Sequence, residues 1–245
     1  MKKTIKAIAS FLLVVPLCLS CSNKMENGGT ISFEISSQSE IAEVTKSDVS
    51  SYTKLPSGDD FTITVLDARE KEIYKGLVKN YPTEKTLLAG NYTVTAQYGD
   101  VNNEGFDLPC FKGSASFTVT GETHQDVKII TKLANCVIKV LCTDVFKQYY
   151  PEYTLSIKTG AGNVIAFKKD ETRAAFVDAY KITLEGTLKN QAGKDVKFTG
   201  SEEYKLYPAT CYTMKFDVSN VGTGSVTFTF DDNVNDLTGW IELNQ

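Results

Sequence analysis

The chain of 245 residues is poor in the side chains on which most enzymes and nucleic-acid-binding proteins depend. It contains one histidine, His124, and only two arginines, Arg69 and Arg173. A single histidine rules out a metal site built from several histidines, and no neighbouring nucleophile suggests a Ser-His-Asp triad. Phosphate backbones require clustered lysine and arginine. The scarcity of arginine and the net charge of −4 therefore predict no nucleic-acid partner.

Motifs of cofactor-dependent and hydrolytic enzymes are also missing. The sequence has no P-loop, no dinucleotide-binding fingerprint and no Gly-x-Ser-x-Gly elbow. Its 30 acidic residues leave open a pair of carboxylates for glycoside hydrolysis, since such a pair is a spatial arrangement. We expect a protein that is not an enzyme and has no resident cofactor.

The first 21 residues have the layout of a secretory signal. Three lysines lie within the first six residues, and the apolar run Ala7–Leu19 is shorter than the roughly 20 residues that span a bilayer. Ser20 and Cys21 follow, which is typical of bacterial lipoprotein signals. We predict that residues 1–20 are a lipoprotein signal peptide and that Cys21 is lipidated and holds the protein at the outer membrane. An ordinary signal, with Cys21 as an incidental thiol, is the alternative.

Residues 21–50 are polar, and we predict that they form the lipidated N-terminus and a tether. One possible strand lies at Thr30–Ile35. Removal of the signal takes three lysines with it and leaves 23 basic against 30 acidic residues, a net charge of −7. The short segment after Cys21 has one acid and one lysine, so the choice between the cell surface and the periplasmic face stays open.

Apolar and polar residues alternate with period two through most of the chain from residue 61 onward. Clear examples are Phe61–Val65, Tyr92–Tyr98, Cys136–Cys142 and Tyr212–Val218. This pattern is typical of strands that have one face on a core and one face in water. The chain should therefore consist mainly of strands.

Helical patterns are confined to two short stretches. Thr143–Tyr150 predicts one or two turns with Thr143 as N-cap, and Asp170–Tyr180 predicts another short turn. Many strands with few helices favour an all-β fold of two antiparallel β-sandwich domains. We place these domains at residues 51–133 and 134–245.

Four cysteines remain after the lipidated one: Cys110, Cys136, Cys142 and Cys211. Cys136 and Cys142 lie about 20 Å apart on one predicted strand, too far apart to pair with each other. We favour small buried thiols for Cys136 and Cys142, because a core of this size needs no disulfides. The other pairings stay open.

Two stretches resemble known families. The order of Leu87–Ala96, Gly105–Pro109 and Phe117–Val119 resembles a family of lipoproteins from gut anaerobes that is catalogued as a domain of unknown function. Leu133–Val140 is similar to the start of the second sandwich in fimbrillin-like (Mfa-like) proteins. The resemblance implies fimbrillin- or transthyretin-like sandwiches. It also implies assembly into pili by strand exchange after cleavage at an arginine, yet residues 22–50 contain none.

These features lead to two functional hypotheses. The first is a non-catalytic envelope lipoprotein for adhesion or pilus-like assembly, with pilin-like subunits as partners. The alternative is an outer-membrane lipoprotein that binds host or dietary glycans for polysaccharide uptake.

The candidate metal site lies near the C-terminus. Asp231, Asn233 and Asn235 fall on positions one, three and five of a Ca²⁺ loop, and Glu242 falls on position twelve. Position six is Asp236 instead of the glycine that makes the sharp turn, and strands flank the segment. A polar hairpin loop is the alternative.

Aromatic residues supply the candidate glycan contacts. Trp240, Tyr149 and Tyr150 would stack on sugar rings if exposed, and packing against the core is the alternative. In the loop region after Gly99, we expect Phe106 and Phe111 to fold back over the end of the sandwich.

Overall fold

A computed structural model describes residues 28–38, 40–41, 47–200, 203–218, 225–231 and 237–242. The predicted signal peptide and Cys21 lie outside these residues. Within the described ranges, no helix combines the length and apolar character needed to cross a membrane.

Strands account for nearly all of the regular structure. In the first half of the chain they are β1 (Thr30–Ser37), β2 (Glu40–Ile41), β3 (Ser47–Asp48), β4 (Thr62–Asp67), β5 (Glu72–Leu77), β6 (Gly90–Tyr98), β7 (Gly105–Phe106), β8 (Phe111–Val119) and β9 (His124–Leu133). Short 3₁₀ turns lie at Val49–Ser51, Gly58–Asp60 and Val78–Asn80.

The second half begins with β10 (Cys136–Cys142) and the helix α1 (Asp144–Tyr149). The remaining strands are β11 (Glu152–Thr159), β12 (Val164–Lys168), β13 (Ala175–Val177), β14 (Lys181–Lys189), β15 (Asp195–Thr199), β16 (Tyr204–Lys205), β17 (Cys211–Val218), β18 (Ser225–Asp231) and β19 (Leu237–Glu242).

Local sequence patterns account for these elements. In β6, Tyr92, Val94 and Ala96 are buried while the threonines between them are exposed, as the period of two predicts. The helix α1 begins where its predicted N-cap places it, since Thr143 Oγ1 accepts a hydrogen bond from the Phe146 N–H at 3.2 Å.

The first sandwich is built from one six-stranded sheet, sheet A, in the order β1-β9-β8-β6-β4-β5. Ile31 of β1, Val127 of β9 and Ile63 of β4 belong to the same buried cluster, although β1 and β4 are four strands apart. Sheet A therefore curls around a common core. The β2–β3 pair forms a separate small ribbon.

The second sandwich consists of two sheets that face each other. Sheet B has the order β19-β18-β17-β10-β13-β7, and sheet C has the order β12-β11-β14-β15, with β16 also paired to β14. Ile138 and Met214 of sheet B share a buried cluster with Leu155 and Leu184 of sheet C. The predicted all-β fold with β-sandwiches is thus confirmed. The domain boundary near Leu133 stays a prediction.

The strand pairing departs from the purely antiparallel prediction at two places. The β1–β9 and β10–β17 pairs are parallel, while the other named pairs are antiparallel. The β1 strand also lies within the segment that we predicted to be a tether, and its Ile31 is fully buried. Residues 30–37 therefore belong to the folded part of the chain, because the apolar positions of β1 complete the first core.

The two sandwiches share a wall made by β10, β13 and β17. Alternate residues point to opposite faces of a strand. Cys136 and Ile138 lie in the second core, whereas Val137 between them lies in the first. Phe176 of β13 and Cys211 of β17 also belong to the first core. Strands buried on both faces lose the apolar–polar alternation, which explains why Asp170–Tyr180 was wrongly predicted to be a helical turn.

A loop from the first sandwich completes the wall. Its strand β7 pairs with β13, Phe106 opposite Ala175, at the edge of sheet B. The Phe106 ring packs edge-on against Phe167 at 5.2 Å. Phe106 therefore covers the second sandwich instead of the end of its own. Phe111, for which we made the same prediction, is a fully buried residue of β8.

Glu104 fixes this loop through its carboxylate. It accepts hydrogen bonds from Thr159 Oγ1 at 2.6 Å, from Asn163 Nδ2 at 2.7 Å and from the Asp178 N–H at 2.9 Å. The donors come from two segments of the second sandwich, the turn between β11 and β12 and the residue that follows β13. Glu104 therefore acts as a clasp between the two sandwiches.

Replacing Glu104 by alanine should destabilise the protein. Hydrogen bonds to a charged group contribute about 1.5–3 kcal/mol each when buried, and Glu104 is half-buried. We expect Glu104→Ala to lower the free energy of unfolding by about 2–4 kcal/mol, measured by urea denaturation.

The matched control is Glu152→Ala. Glu152 makes one exposed ion pair with Lys169 at 3.5 Å, and such pairs contribute about 0–1 kcal/mol. A loss in Glu104→Ala no larger than that in the control would show that the clasp does not hold the sandwiches together.

Candidate functional site

The second half of β10 has an open edge. On one side β10 pairs with β17 as far as Cys142, but on the other side its pairing with β13 ends at Ile138. Beyond Ile138, no strand in the described part of the chain occupies that side. Four residues of β10, Lys139–Cys142, therefore border a gap in sheet B.

Backbone geometry identifies the groups that face this gap. The N–H of Val137 donates to the Thr210 carbonyl and that of Thr143 to the Phe216 carbonyl, both on the β17 side. Because successive residues of a strand point their N–H and C=O groups to opposite sides, the odd-numbered residues bond β17. The N–H and C=O groups of Val140 and Cys142 consequently face the open edge.

A groove of about 370 Å³ lies along this edge, and we call it the edge groove. It separates the open part of β10 from β12, the edge strand of sheet C. Its lining residues are Lys139, Val140, Leu141, Cys142, Lys147, Tyr153, Phe167, Lys168, Asp170, Glu171 and Thr172. The apolar lining residue Val140 is only partly buried, as expected where a neighbouring strand is missing.

Charged side chains form the rim of the edge groove. Lys147 and Lys168 are exposed, and Lys139 lies with its Nζ 5.2 Å from the centre of the Tyr52 ring. Arg173 donates to both carboxylate oxygens of Glu171, at 3.0 and 2.9 Å, and these bonds lower the pKa of Glu171 to about 2. Glu171 therefore stays ionised and paired, while the lysines give the rim a positive excess.

Burial makes the thiol beside the groove unreactive. Cys142 is 8% exposed, and burial raises the pKa of its thiol to about 11. Burial also raises the pKa values of Cys110 and Cys136. All four described cysteines are buried thiols and form no disulfide, which confirms the favoured prediction for Cys136 and Cys142.

Two of the three predicted glycan contacts lie on or just after α1, and their aromatic faces are largely occupied. Tyr150 is 2% exposed, and its ring packs 5.3 Å from that of Phe146, so it cannot stack on a sugar. Tyr149 is partly buried, with its ring 5.0 Å from that of Tyr150. The prediction was wrong for Tyr150 because a short aromatic run does not show which side of α1 meets the core. The side chain of Trp240 lies outside the described part of the chain.

The predicted calcium ligands do not converge as a set. Strands β18 and β19 form a hairpin with Phe230 opposite Leu237 and Ser225 opposite Glu242. Glu242 is therefore at the far end of the hairpin from Asp231, about 20 Å away along the strand. Asn233 and Asn235 lie outside the described residues. The prediction of a Ca²⁺ site that includes Glu242 was wrong, because the antiparallel register separates Asp231 from Glu242.

The single histidine is hydrogen-bonded on the surface of the β1–β9 pair. Its Nδ1 lies 2.9 Å from Thr30 Oγ1, and its Nε2 lies 3.3 Å from Ser32 Oγ and 3.4 Å from Asp126 Oδ1. In a catalytic triad the serine and the carboxylate bond different ring nitrogens. Here both approach Nε2, so His124 is not arranged for nucleophilic catalysis. Among the described residues, no group of three or more His, Cys, Asp or Glu could hold a metal.

Comparison with known proteins gives a family and distant structural relatives. A family model described as a domain of unknown function (DUF4493) matches residues 27–245. No curated protein matches the chain. A candidate polysaccharide-binding protein (DUF1812) from Bacteroides thetaiotaomicron VPI-5482 has a TM-score of 0.49 and 13% identity, over 88% of this chain and 98% of that chain. A fimbrial assembly protein from Parabacteroides distasonis ATCC 8503 has a TM-score of 0.44 and 12% identity, over 86% and 98%.

The buried thiols should resist labelling in the folded protein. A thiol whose pKa is raised stays protonated at neutral pH, and only the thiolate reacts. We expect a maleimide at pH 7.5 to label Cys110, Cys136 and Cys142 slowly in the folded state and rapidly in urea, as mapped by peptide mass spectrometry. Rapid labelling of the folded protein, or disulfide-linked peptides in protein purified without reductant, would contradict this description.

Proposed function

The chain belongs to the DUF4493 family, as its resemblance to a lipoprotein family of unknown function predicted, and we propose that it is a non-catalytic, lipid-anchored protein of the cell envelope. Its role is adhesion or pilus-like assembly, in which the edge groove receives an extended segment of a partner protein. The observation that carries this proposal is the open edge of β10 beside the groove.

Strand addition needs three features, and the edge groove has each of them. Backbone N–H and C=O groups of Val140 and Cys142 face the open side and supply ladder hydrogen bonds. The partly buried side chain of Val140 and the exposed side chain of Leu141 supply apolar surface for alternate side chains of the incoming strand. The lysines on the rim favour a segment that carries acidic residues at its outward positions.

The absence of organised catalytic groups supports a binding role. In the described ranges, the histidine is not arranged as a general base, and the cysteines are buried. Catalysis by a thiol requires a lowered pKa, whereas burial raises the pKa values of Cys110, Cys136 and Cys142. A protein with these properties acts through its surfaces.

Anchoring depends on Cys21, and Cys21→Ser should release the protein. We expect this variant to lose palmitate incorporation and to leave the membrane fraction, because both follow from acylation of one thiol. Cys18→Ser is the matched control and should keep both properties. Palmitate incorporation into Cys21→Ser would overturn the proposed anchor.

Strand addition predicts a crosslink at the edge groove. Leu141 is 52% exposed there, and a photoreactive phenylalanine analogue at this position in the full chain should capture an envelope protein on illumination. The captured peptide should be an extended segment with alternating apolar residues. The same analogue at Val164, which is 57% exposed on β12 outside the lining of the groove, is the control site.

Proline at position 140 separates strand addition from other contacts. Val140→Pro removes an N–H on the open side and leaves the β17 ladder intact, as edge strands tolerate. It should abolish the crosslink, whereas Val140→Thr should keep it. An undiminished crosslink in Val140→Pro, with an unchanged melting temperature, would contradict strand addition.

A further inference from the structure

A second concave surface lies on the outer face of sheet A and shares no lining residue with the edge groove. It is a cleft of about 450 Å³, which we call the threonine cleft. Its lining residues are Asp60, Thr62, Thr64, Lys75, Thr95, Gln97, Tyr98 and Gly99. The polar floor comes from β4 and β6, which are interior strands of sheet A.

The register of the sheet arranges the floor in two rows. Thr64 lies opposite Thr95, and Thr62 lies opposite Gln97. Opposing Cβ atoms in such pairs are about 5 Å apart, and successive rows on one face are about 7 Å apart. The cleft therefore presents three hydroxyl groups and one amide at fixed, short spacings.

These polar groups are available to a ligand. In the described part of the chain, no side-chain hydrogen bond engages the hydroxyls of Thr62, Thr64 or Thr95. Gln97 donates from Nε2 to the Gly99 carbonyl at 2.9 Å, and this bond orients the amide and leaves its oxygen as an acceptor. Hydroxyl groups both donate and accept, so the floor matches a ligand rich in hydroxyls.

The end of the cleft is closely packed. Gly99 has a φ of +70°, and a Cβ added there would lie 2.3 Å from the Pro109 carbonyl oxygen. The neighbouring Tyr98 is half-buried, with its ring 5.7 Å from that of the fully buried Phe61. The polar floor is therefore preorganised by the packing at its end, which reduces the ordering cost of binding.

Charge identifies the class of ligand. The lining contains one acid, Asp60, and one base, Lys75. The Asp60 carboxylate also lies 3.8 Å from the Lys79 ammonium group, so no excess of either sign is fixed in the cleft. A phosphate or another polyanion would need a cluster of cations. The interior position of β4 and β6 leaves no free backbone edge for an added peptide strand.

We propose that the threonine cleft binds an uncharged oligosaccharide through the hydroxyls of Thr62, Thr64 and Thr95 and the amide oxygen of Gln97. This site is distinct from the edge groove and from the aromatic residues Trp240, Tyr149 and Tyr150. It gives the protein a glycan-binding surface whether or not it takes part in strand addition.

Affinity electrophoresis of the full chain, purified in detergent, tests this proposal. The gels contain one neutral polysaccharide each (dextran, laminarin, xylan or mannan), with heparin as the polyanion. We expect retardation by at least one neutral polysaccharide. The double variant Thr64→Val/Thr95→Val keeps the shape and strand preference of both residues, and its Kd should rise by at least about tenfold.

Thr93→Val is the matched control, because Thr93 lies on the same face of β6 one row beyond the cleft. Its Kd should stay within about twofold of the native value. Val140→Pro should leave retardation unchanged, which separates this site from the edge groove. No retardation by any neutral polysaccharide, retardation by heparin alone, or an equal loss in Thr93→Val and the double variant would overturn the proposal.

Discussion

The two cores of the protein are joined by a wall whose central residues, Cys136–Ile138 and Ala175–Val177, are buried on both faces of the sheet. Val137 and Phe176 point into the first core, while Ile138 and Ala175 point into the second. Burial of apolar surface is the main favourable contribution to folding, and here one set of strands supplies it to both sandwiches. Glu104 and β7 add polar and backbone contacts at the margin of this wall. The two sandwiches therefore constrain each other's position.

The same wall accounts for the edge groove. The short strand β13 lies between β10 and β7 and pairs with β10 over only three residues. Where that pairing ends, β10 continues along β17 without a second neighbour in the described part of the chain. An unpaired strand edge is a risk for unwanted association, which proteins reduce with charged side chains. The lysines on the rim serve that purpose, and under the proposed strand addition they would also favour an acidic segment.

Much of the fold could be predicted from the sequence. Strands with one buried and one solvent-exposed face show apolar and polar residues alternating with a period of two. The strand at Tyr92–Tyr98 and the cap at Thr143 are examples. The pattern failed at Ala175–Val177, where both faces are buried. The burial of Tyr150 and the separation of Asp231 from Glu242 depend on packing and register. The edge groove depends on where β13 stops pairing, and the threonine cleft depends on which strands are neighbours. Neither the edge groove nor the threonine cleft produces a recognisable pattern in the local sequence.

The open edge of β10 is the claim on which the functional account depends, and amide hydrogen exchange measured residue by residue with NMR tests it most directly. Because Lys139 and Leu141 direct their N–H groups to β17, both should exchange slowly. Val140 and Cys142 direct theirs to the open side and should exchange markedly faster in the isolated protein. Protection of Val140 and Cys142 equal to that of Lys139 and Leu141 would mean that this edge is already occupied, and strand addition there would be contradicted.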